Sequence, residues 1–576
     1  MDDFPGYWLP KAIEQALITP QTVFTRRRFA GGRPADGESG AVSACWPVFS
    51  AGEWTRLLDM LQEQRRSAPS GMAYWERFNR ALPAAGALLA DPHGPYYQAG
   101  MAALPGYTGY SQAMIRAALH APANFALPGT LPAFSSEAPA GGAAGKLEAH
   151  GWRAIPGQPG YIYFHAASAM HRAAALLENT IPGLARSMLF SPPNLPELVV
   201  GYGSGNVPGA ALLVTLLAWG SSLLGGGMPA VLARNSRREP LFTPLVLRAI
   251  EQVDPGLACA TAVLTWDYED AALQARVLEQ ADLVVAAASD ETIRQLQGQV
   301  DAAQRSRSRR RPPLRLHAHG HKVSFAAIGR DVLERGGRLP GGRLLLPAVA
   351  LLAGLDSAFW DQFGCLSARV HFVEEGGAGQ HTPAEYAAAL AGQLARLAER
   401  LPRGAWPRRQ LQDRFDRFKA LEAGGQVQVF SRYEDEFVVA LDRRTLDGEA
   451  FRQLVNDCQG RTVIVRPVAA LDQIPGLLRL IPPANLQSLS VALGRPGQAV
   501  DRALLRFARA CADCGVTAIR SAGRGAFPQP AYSWDGYIPL DLLCERPAGR
   551  FSTIEFDAPF DQLEGTLEIM EELLEG

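Results

Sequence analysis

Cys365 directly follows Gly364 in a short connection between an apolar segment and a strand-like one. A single cysteine in such a connection is a candidate nucleophile, because a thiolate there can attack a carbonyl carbon; the other reading is a packing thiol. Cys259, Cys458 and Cys544 stand in apolar or ordinary surroundings and read as packing residues. Cys511 and Cys514 form a CxxC on an apparent helix with no second pair, so no metal site is expected. A second candidate is the turn from Gly201 to Gly209, with Gly203, Gly205 and Asn206 at its centre. It departs from the dinucleotide fingerprint, since Val207 and Pro208 stand where a third glycine belongs. Either the backbone approaches a ligand there, or the turn is simply tight. His317, His319 and His321 alternate and so share one face of an extended segment, as proton donors or as structural histidines. Arg305–Pro313 is the strongest charge run, readable as a polyanion contact or as a solvated loop.

The elements that must hold these residues are legible from Leu198 onward. Strands are predicted at Leu198–Tyr202, Met228–Ala233, Ala260–Trp266 and Asp282–Ala287. Helices are predicted at Ala210–Leu224, Leu241–Val253, Ala271–Gln280 and Glu291–Gln304. Strands alternating with helices of this length specify a parallel sheet covered on both faces, which presents ligands at the carboxyl ends of its strands. A second α/β unit follows. Its predicted strands are Leu314–Ala318, Ser324–Ile328, Arg369–Val373, Phe437–Leu441, Arg461–Val468 and Leu486–Leu493, with helices at Pro347–Trp360 and Ala499–Asp513. Residues 1 to about 195 read as helix-rich, with a helix over 163–188 and a Gly/Pro-rich loop over 134–145. From Phe551 a strand leads into an acidic amphipathic helix.

The 576 residues are 47% hydrophobic and 20% charged, a globular composition with room for several domains. Against 57 acidic residues stand 56 basic ones, a net charge of −1, which removes the electrostatic case for nucleic acid or an anionic membrane as partner. Seven cysteines, an odd number without framework spacing, argue against a secreted disulfide scaffold. The acidic start Met1-Asp2-Asp3 lacks the apolar core of a secretory leader, so a cytoplasmic protein is expected. The apolar run from Ala210 to Leu224 is 15 residues, short of the ~20 that span a bilayer.

Six motifs in order then resemble one family. They are GSGNVPG at 203–209, LARNSRREP at 232–240, HGHKVSF at 319–325, WDQFGCLSARVHFVEE at 360–375, LQSLSVAL at 486–493 and WDGYIPLDLL at 534–543. Together they resemble the LuxC-type acyl-CoA reductases, fatty-acyl reductases within the aldehyde dehydrogenase superfamily. The resemblance implies an α/β, aldehyde-dehydrogenase-like fold: a Rossmann-type cofactor domain plus a second α/β catalytic domain. The segments drawn on this basis are 1–195 (helical, contributing to cofactor binding and acyl specificity), 196–330 (nucleotide binding), 331–530 (catalytic) and 531–576 (a candidate oligomerisation tail).

The resemblance also implies a reaction: reduction of an acyl thioester to an aldehyde by NADPH through an acyl-cysteine. Cys365 falls on the nucleophile and Asn206 on the superfamily's oxyanion asparagine. Arg234, with Arg237 and Arg238 behind it, falls where a basic residue meets the adenosine ribose, and Ser236 is a further donor to a 2′-phosphate. Gly203, Gly205 and Ser289 fall at further cofactor positions, although a helix N-cap explains Ser289 as well. The implied partners are acyl-CoA or an acyl-carrier protein, an acyl-transferring synthetase, and a second copy of the chain. Two departures stand out. Aligning Gly320-His321-Lys322 with the superfamily's Gly-Gly-Lys puts Ala318 where hydrolytic members carry a glutamate base, and the C-terminal ribose-binding glutamate has no assigned counterpart. Two other functions compete: an oxidising aldehyde dehydrogenase, which the missing glutamate opposes, and a non-catalytic acyl-carrier-binding homologue, which the presence of Cys365 and Asn206 opposes.

Overall fold

The computed structural model describes residues 3–30, 33–34, 42–68, 71–122, 149–155, 159–165, 195–220, 227–308, 311–525, 535–536, 550–558, 563 and 565–568. They form two compact units. One takes in the described residues of Met1–Gly129 and Ile181–His321; the other takes in those of Thr130–Thr180, Lys322–Ile538 and Gly549–Gly576.

The first unit is built on five parallel strands: β1 (Leu198–Tyr202), β2 (Ala230–Arg234), β3 (Thr261–Leu264), β4 (Leu283–Ala287) and β5 (Arg315–His319), in the order β5-β4-β1-β2-β3. Strands β1 to β4 are almost wholly buried, which is why they are continuous apolar runs and not alternating ones. Between them run α1 (Ala210–Gly220), α2 (Phe242–Val253), α3 (Ala271–Gln280) and α4 (Asp290–Ser306). The basic run after α4 has a structural task. Arg307 and Arg311 both donate to Asp282 Oδ1, at 2.5 and 3.0 Å, and to carbonyls at the end of α3. Oδ2 of the same aspartate accepts from the backbone N–H groups of Glu197 and Leu198, so one buried carboxylate ties together the amino ends of β1 and β4.

The N-terminal segment is not only helical. Helices at Ala51–Ser67, Gly71–Ala90, Pro95–Thr108 and Gln112–His120 follow a four-stranded sheet of Phe4–Pro5, Val23–Ala30, Arg33–Pro34 and Val42–Val48. Three consecutive arginines within Val23–Ala30 mask its alternation in the sequence. This segment docks on the parallel sheet: Trp8 and Val263 exchange backbone hydrogen bonds at 2.8 and 2.9 Å, and Tyr74 donates to the Leu257 carbonyl.

In the second unit the strands are β6 (Val323–Ile328), β7 (Ala368–Glu374), β8 (Val427–Val429), β9 (Val438–Asp442), β10 (Thr462–Val468), β11 (Leu486–Ala492), β12 (Ala518–Ser521) and β13 (Phe551–Ile554). Their order is β8-β9-β10-β7-β6-β11-β12-β13, continued by Tyr161–Phe164 and Arg153–Ala154, and neighbours from β9 to β13 are parallel. Helices α5 (Leu345–Ala358), α6 (Pro383–Arg400), α7 (Arg408–Glu422), α8 (Gly448–Asp457) and α9 (Arg502–Cys514) flank them. Phe325, Phe372 and Phe451 stack in the core with centroids 5.6–6.4 Å apart. Three sequence expectations change here. The strand read at Leu314–Ala318 is β5 of the first unit's sheet and not a strand of this one. Tyr161–Phe164 is a strand paired with β13, so no helix starts at 163, and residues 166–194 lie outside the described ones. The helix expected to reach Trp360 ends at Ala358, because the chain turns left-handed at Trp360. Of the C-terminal helix, residues 563 and 565–568 are described and helical. Among the described residues no helix is long and apolar enough to cross a membrane.

Candidate functional site

At the carboxyl end of β1 the Gly203 N–H donates to the Arg234 carbonyl at 3.0 Å, which joins the Gly-rich turn to the end of β2. A Cβ on Gly203 would stand 2.8 Å from the Ala211 nitrogen, and one on Gly205 would collide with the Ser236 side chain. These glycines therefore let the turn lie against the start of α1 and against the 236–238 turn. Asn206 is exposed, and its carbonyl accepts from the Tyr110 hydroxyl. Positive φ occurs among the described non-glycines at His150, Trp360, Asp361, Gln362, Arg461 and Asp535, and not at Asn206. An unusual backbone angle is thus no reason for an asparagine at 206.

The three arginines after β2 have different surroundings. Arg234 donates through Nε and Nη2 to the Trp266 carbonyl, at 3.1 and 3.0 Å, and lies over the rings of Trp266 and Tyr268. Arg237 pairs with Asp267 at 2.8 Å. Arg238 is exposed and has no carboxylate partner among the described residues, while its backbone N–H donates to Ser236 Oγ. Beneath them Glu239 is buried and accepts from the backbone N–H groups of Leu241 and Phe242 at 3.0 and 2.7 Å. Burial pushes its carboxyl up to about 7. Glu239 stands three residues before the first residue of α2, and nothing in its spacing signalled that its carboxylate would meet the unpaired N–H groups there. Ser289 caps α4 by accepting from the Thr292 N–H at 3.2 Å, so the ordinary capping role accounts for it.

In the second unit Cys365 stands in the turn between α5 and β7, partly buried. Ser324 Oγ, on β6, donates to the Cys365 carbonyl at 2.8 Å, and Ser488 Oγ on β11 is 2.9 Å from Ser324 Oγ. Just upstream, Trp360, Asp361 and Gln362 are three consecutive left-handed residues, with φ of 53°, 48° and 63°. The Gln362 amide donates to the Ala368 carbonyl at 3.0 Å and accepts from the Thr462 N–H at 2.8 Å. Asp361 accepts from Arg461 Nε at 2.8 Å and from the Gly404 N–H at 3.0 Å. None of these partners was singled out on sequence, because left-handed turns are normally signalled by glycine and this one has none. Burial raises the thiols of Cys45, Cys259, Cys458, Cys511 and Cys514, with Cys458 reaching about 12. Cys458 and Cys514 also donate to helix carbonyls.

His319 is buried, and its carbonyl accepts from the Ala288 N–H; Ala318 is exposed on β5, opposite Ala286 of β4. The His321 N–H is held by Asp290 Oδ1 at 2.7 Å. Among the described residues no group of His, Cys, Asp and Glu could hold a metal ion.

Two parallel α/β units with these connections make the fold that of the aldehyde dehydrogenases. A 1-pyrroline-5-carboxylate dehydrogenase variant of Thermus thermophilus matches with a TM-score of 0.52 at 12% identity, over 92% of each chain. The Mycobacterium tuberculosis pyrroline-5-carboxylate dehydrogenase matches with a TM-score of 0.50 at 14% identity, over 93% of this chain and 90% of that one. A further Thermus structure of this type, solved with bound NAD, has a TM-score of 0.52 at 12% identity, over 92% of each chain. At such identities the likeness is one of fold. No curated protein matches the sequence. The family model described as acyl-CoA reductase (LuxC) matches residues 195–546, more than half of the chain, and the protein belongs to that family. It is an oxidoreductase of the aldehyde-related kind.

Proposed function

We propose that this chain reduces an acyl thioester, of coenzyme A or of an acyl-carrier protein, to an aldehyde with NADPH as reductant, Cys365 being the nucleophile and Asn206 the side-chain oxyanion donor. The observation that carries the reading is the turn around Cys365, which lies within the family-matched region and whose Cys365 carbonyl is fixed by the Ser324 hydroxyl. The Cys365 sulfur forms a bond to the acyl carbon as the bond from that carbon to the departing thiolate breaks, so one thioester replaces another. Negative charge builds on the carbonyl oxygen in between, where a held amide N–H stabilises it.

The carboxyl edge of the five-stranded sheet suits a dinucleotide. Strand order reverses between β1 and β4, and the Gly-rich turn and Ser289 both follow that edge. Gly203, Gly205 and Ser236 would hold the cofactor there, with Arg234 under the adenosine end and Arg238 free to meet a 2′-phosphate. A bound nicotinamide cofactor supplies the hydride. The chain's own contribution is to keep the acyl group as a thioester, since Ala318 offers water no base; the bond from Cys365 to the carbon then breaks as the aldehyde leaves. Incubation with a series of acyl-CoAs and NADPH, following the nicotinamide absorbance and trapping aldehyde with a hydrazine, tests the reading. Cys365→Ala should give neither aldehyde nor an acyl adduct by intact mass. An adduct on that variant would identify another nucleophile.

A further inference from the structure

We propose that the left-handed turn Trp360–Gln362 is a positioning device for Cys365, with Gln362 as the residue that transmits it and the buried Asp361–Arg461 pair as its lock. The inference rests on Cys365 being the nucleophile and says how the thiol is held.

Left-handed backbone is ordinarily left to glycine, and three consecutive non-glycines persist there only where the surroundings over-determine them. Here the side chains do what glycine cannot. Gln362 Nε2 donates to the Ala368 carbonyl and closes the seven residues 362–368 into a loop with Cys365 at its centre. The same amide accepts from the Thr462 N–H at the start of β10, so the loop is tied to a central strand. Ser367 Oγ donates to the Phe359 carbonyl at 3.3 Å and Ser357 Oγ to the Ala368 carbonyl at 2.9 Å, which fixes the same loop from α5. Asp361 is pinned by Arg461 and the Gly404 N–H, and Arg461, itself left-handed at φ 67°, donates to the Pro402 carbonyl at 3.2 Å. Four of the six described positive-φ non-glycines are thus gathered in one hydrogen-bonded cluster beside one thiol. A chain with no need to fix that thiol could make the α5–β7 connection with glycine and solvent.

The test separates holding the thiol from making it reactive. Gln362→Met keeps the volume and removes both amide bonds; Arg461→Met, the more obvious variant, risks the fold. p-Nitrophenyl acetate acylates a thiolate directly: the sulfur–carbon bond forms, the ester carbon–oxygen bond breaks, and p-nitrophenolate leaves and is read as a burst. Iodoacetamide alkylates the same thiol with far weaker demands on orientation. Gln362→Met should slow the burst at Cys365 by roughly 10–10²-fold, the order that ångström-scale misplacement costs. Alkylation of Cys365, followed by peptide mass, should stay within about 3-fold of the native rate, in a protein whose melting curve remains cooperative. Equal losses in both reactions, or a burst unchanged, would overturn the proposal. A native burst without NADPH-dependent reduction of any acyl-CoA would overturn only the thioester-reductase reading. No native burst at all would overturn both the positioning proposal and the choice of nucleophile.

Discussion

Arg461 Nε donates to Asp361 Oδ1 across 2.8 Å, with both side chains fully buried and both backbones left-handed. A left-handed non-glycine costs roughly 1–2 kcal/mol, so Trp360 to Gln362 together store about 3–6 kcal/mol. A buried ion pair adds little net stability, because desolvation offsets the attraction, but breaking one by removing a single partner costs about 3–5 kcal/mol. Arg461→Met should therefore lower the unfolding free energy by about that amount, read from urea midpoints. Removing Asp361 as well, with Asp361→Asn in the same chain, should return part of the loss, since no buried charge is then left alone. A single-variant loss below about 1 kcal/mol would show that the carboxylate is compensated elsewhere.

The contrast between Gly203 and Gln362 shows what the sequence carried and what it did not. Strands β1 to β4 were readable because parallel strands buried on both faces must be continuous apolar runs, and the Gly-rich turn was readable because only glycine fits where Gly203 and Gly205 approach α1 and Ser236. The short connection that carries Cys365 was readable from its glycine neighbour and the apolar segments on either side. The lock around it was not, because Asp361 and Arg461 stand 100 residues apart and the Trp-Asp-Gln backbone defies its own local preferences. Val23–Ala30 was lost for a different reason: its three consecutive arginines hide in the sequence an alternation of exposure that the strand has, with Arg26 and Arg28 exposed and Arg27 between them half-buried.

The arginines after β2 can be told apart by their partners. Arg238→Ala should raise the KM for NADPH about 10-fold or more while leaving that for NADH nearly unchanged, as expected for one charge-assisted phosphate contact worth roughly 1.5–3 kcal/mol. Arg234→Ala should act on both cofactors alike and lower the melting temperature, because it strips the Trp266 carbonyl of two donors. Initial rates with each cofactor decide the matter. A selective effect at Arg234 with none at Arg238 would reverse the two roles.

Glu239 should make stability fall with pH across a definite window. Burial raises its carboxyl to about 7 from the usual 4.5, so between those values the folded state keeps a proton that the unfolded chain has released. Its contribution is complete below about 4.5 and is lost as pH rises through about 7. At 1.36 kcal/mol per pH unit, that is about 3 kcal/mol. Glu239→Gln stays neutral and keeps an acceptor for the Leu241 and Phe242 N–H groups. Relative to the native protein it should gain up to about 3 kcal/mol between pH 4.5 and pH 8 in urea unfolding. Parallel pH profiles for the two proteins would mean that the backbone donors hold the carboxylate ionised despite its burial.

Ala318 provides the sharpest chemical test, because it isolates water from hydride. Its methyl group is exposed on β5 and its backbone pairs in register with Ala286, so a longer side chain can be accepted there without repacking. The proposed alignment sets Ala318 at the general-base position, and on that reading acyl-Cys365 formed without NADPH should persist for minutes and acyl-CoA should not turn over to free acid. A general base contributes about 10²–10⁴ to such a step. Ala318→Glu should therefore shorten the life of the acyl-enzyme by one to several orders of magnitude and divert part of the product from aldehyde to fatty acid, in a ratio that rises with pH as the new carboxylate ionises. Acid and aldehyde measured side by side at matched acyl-CoA give the partition directly. If the native enzyme already hydrolyses acyl-CoA quickly, a base is present elsewhere in the chain, and oxidation of aldehydes becomes the better reading of the reaction.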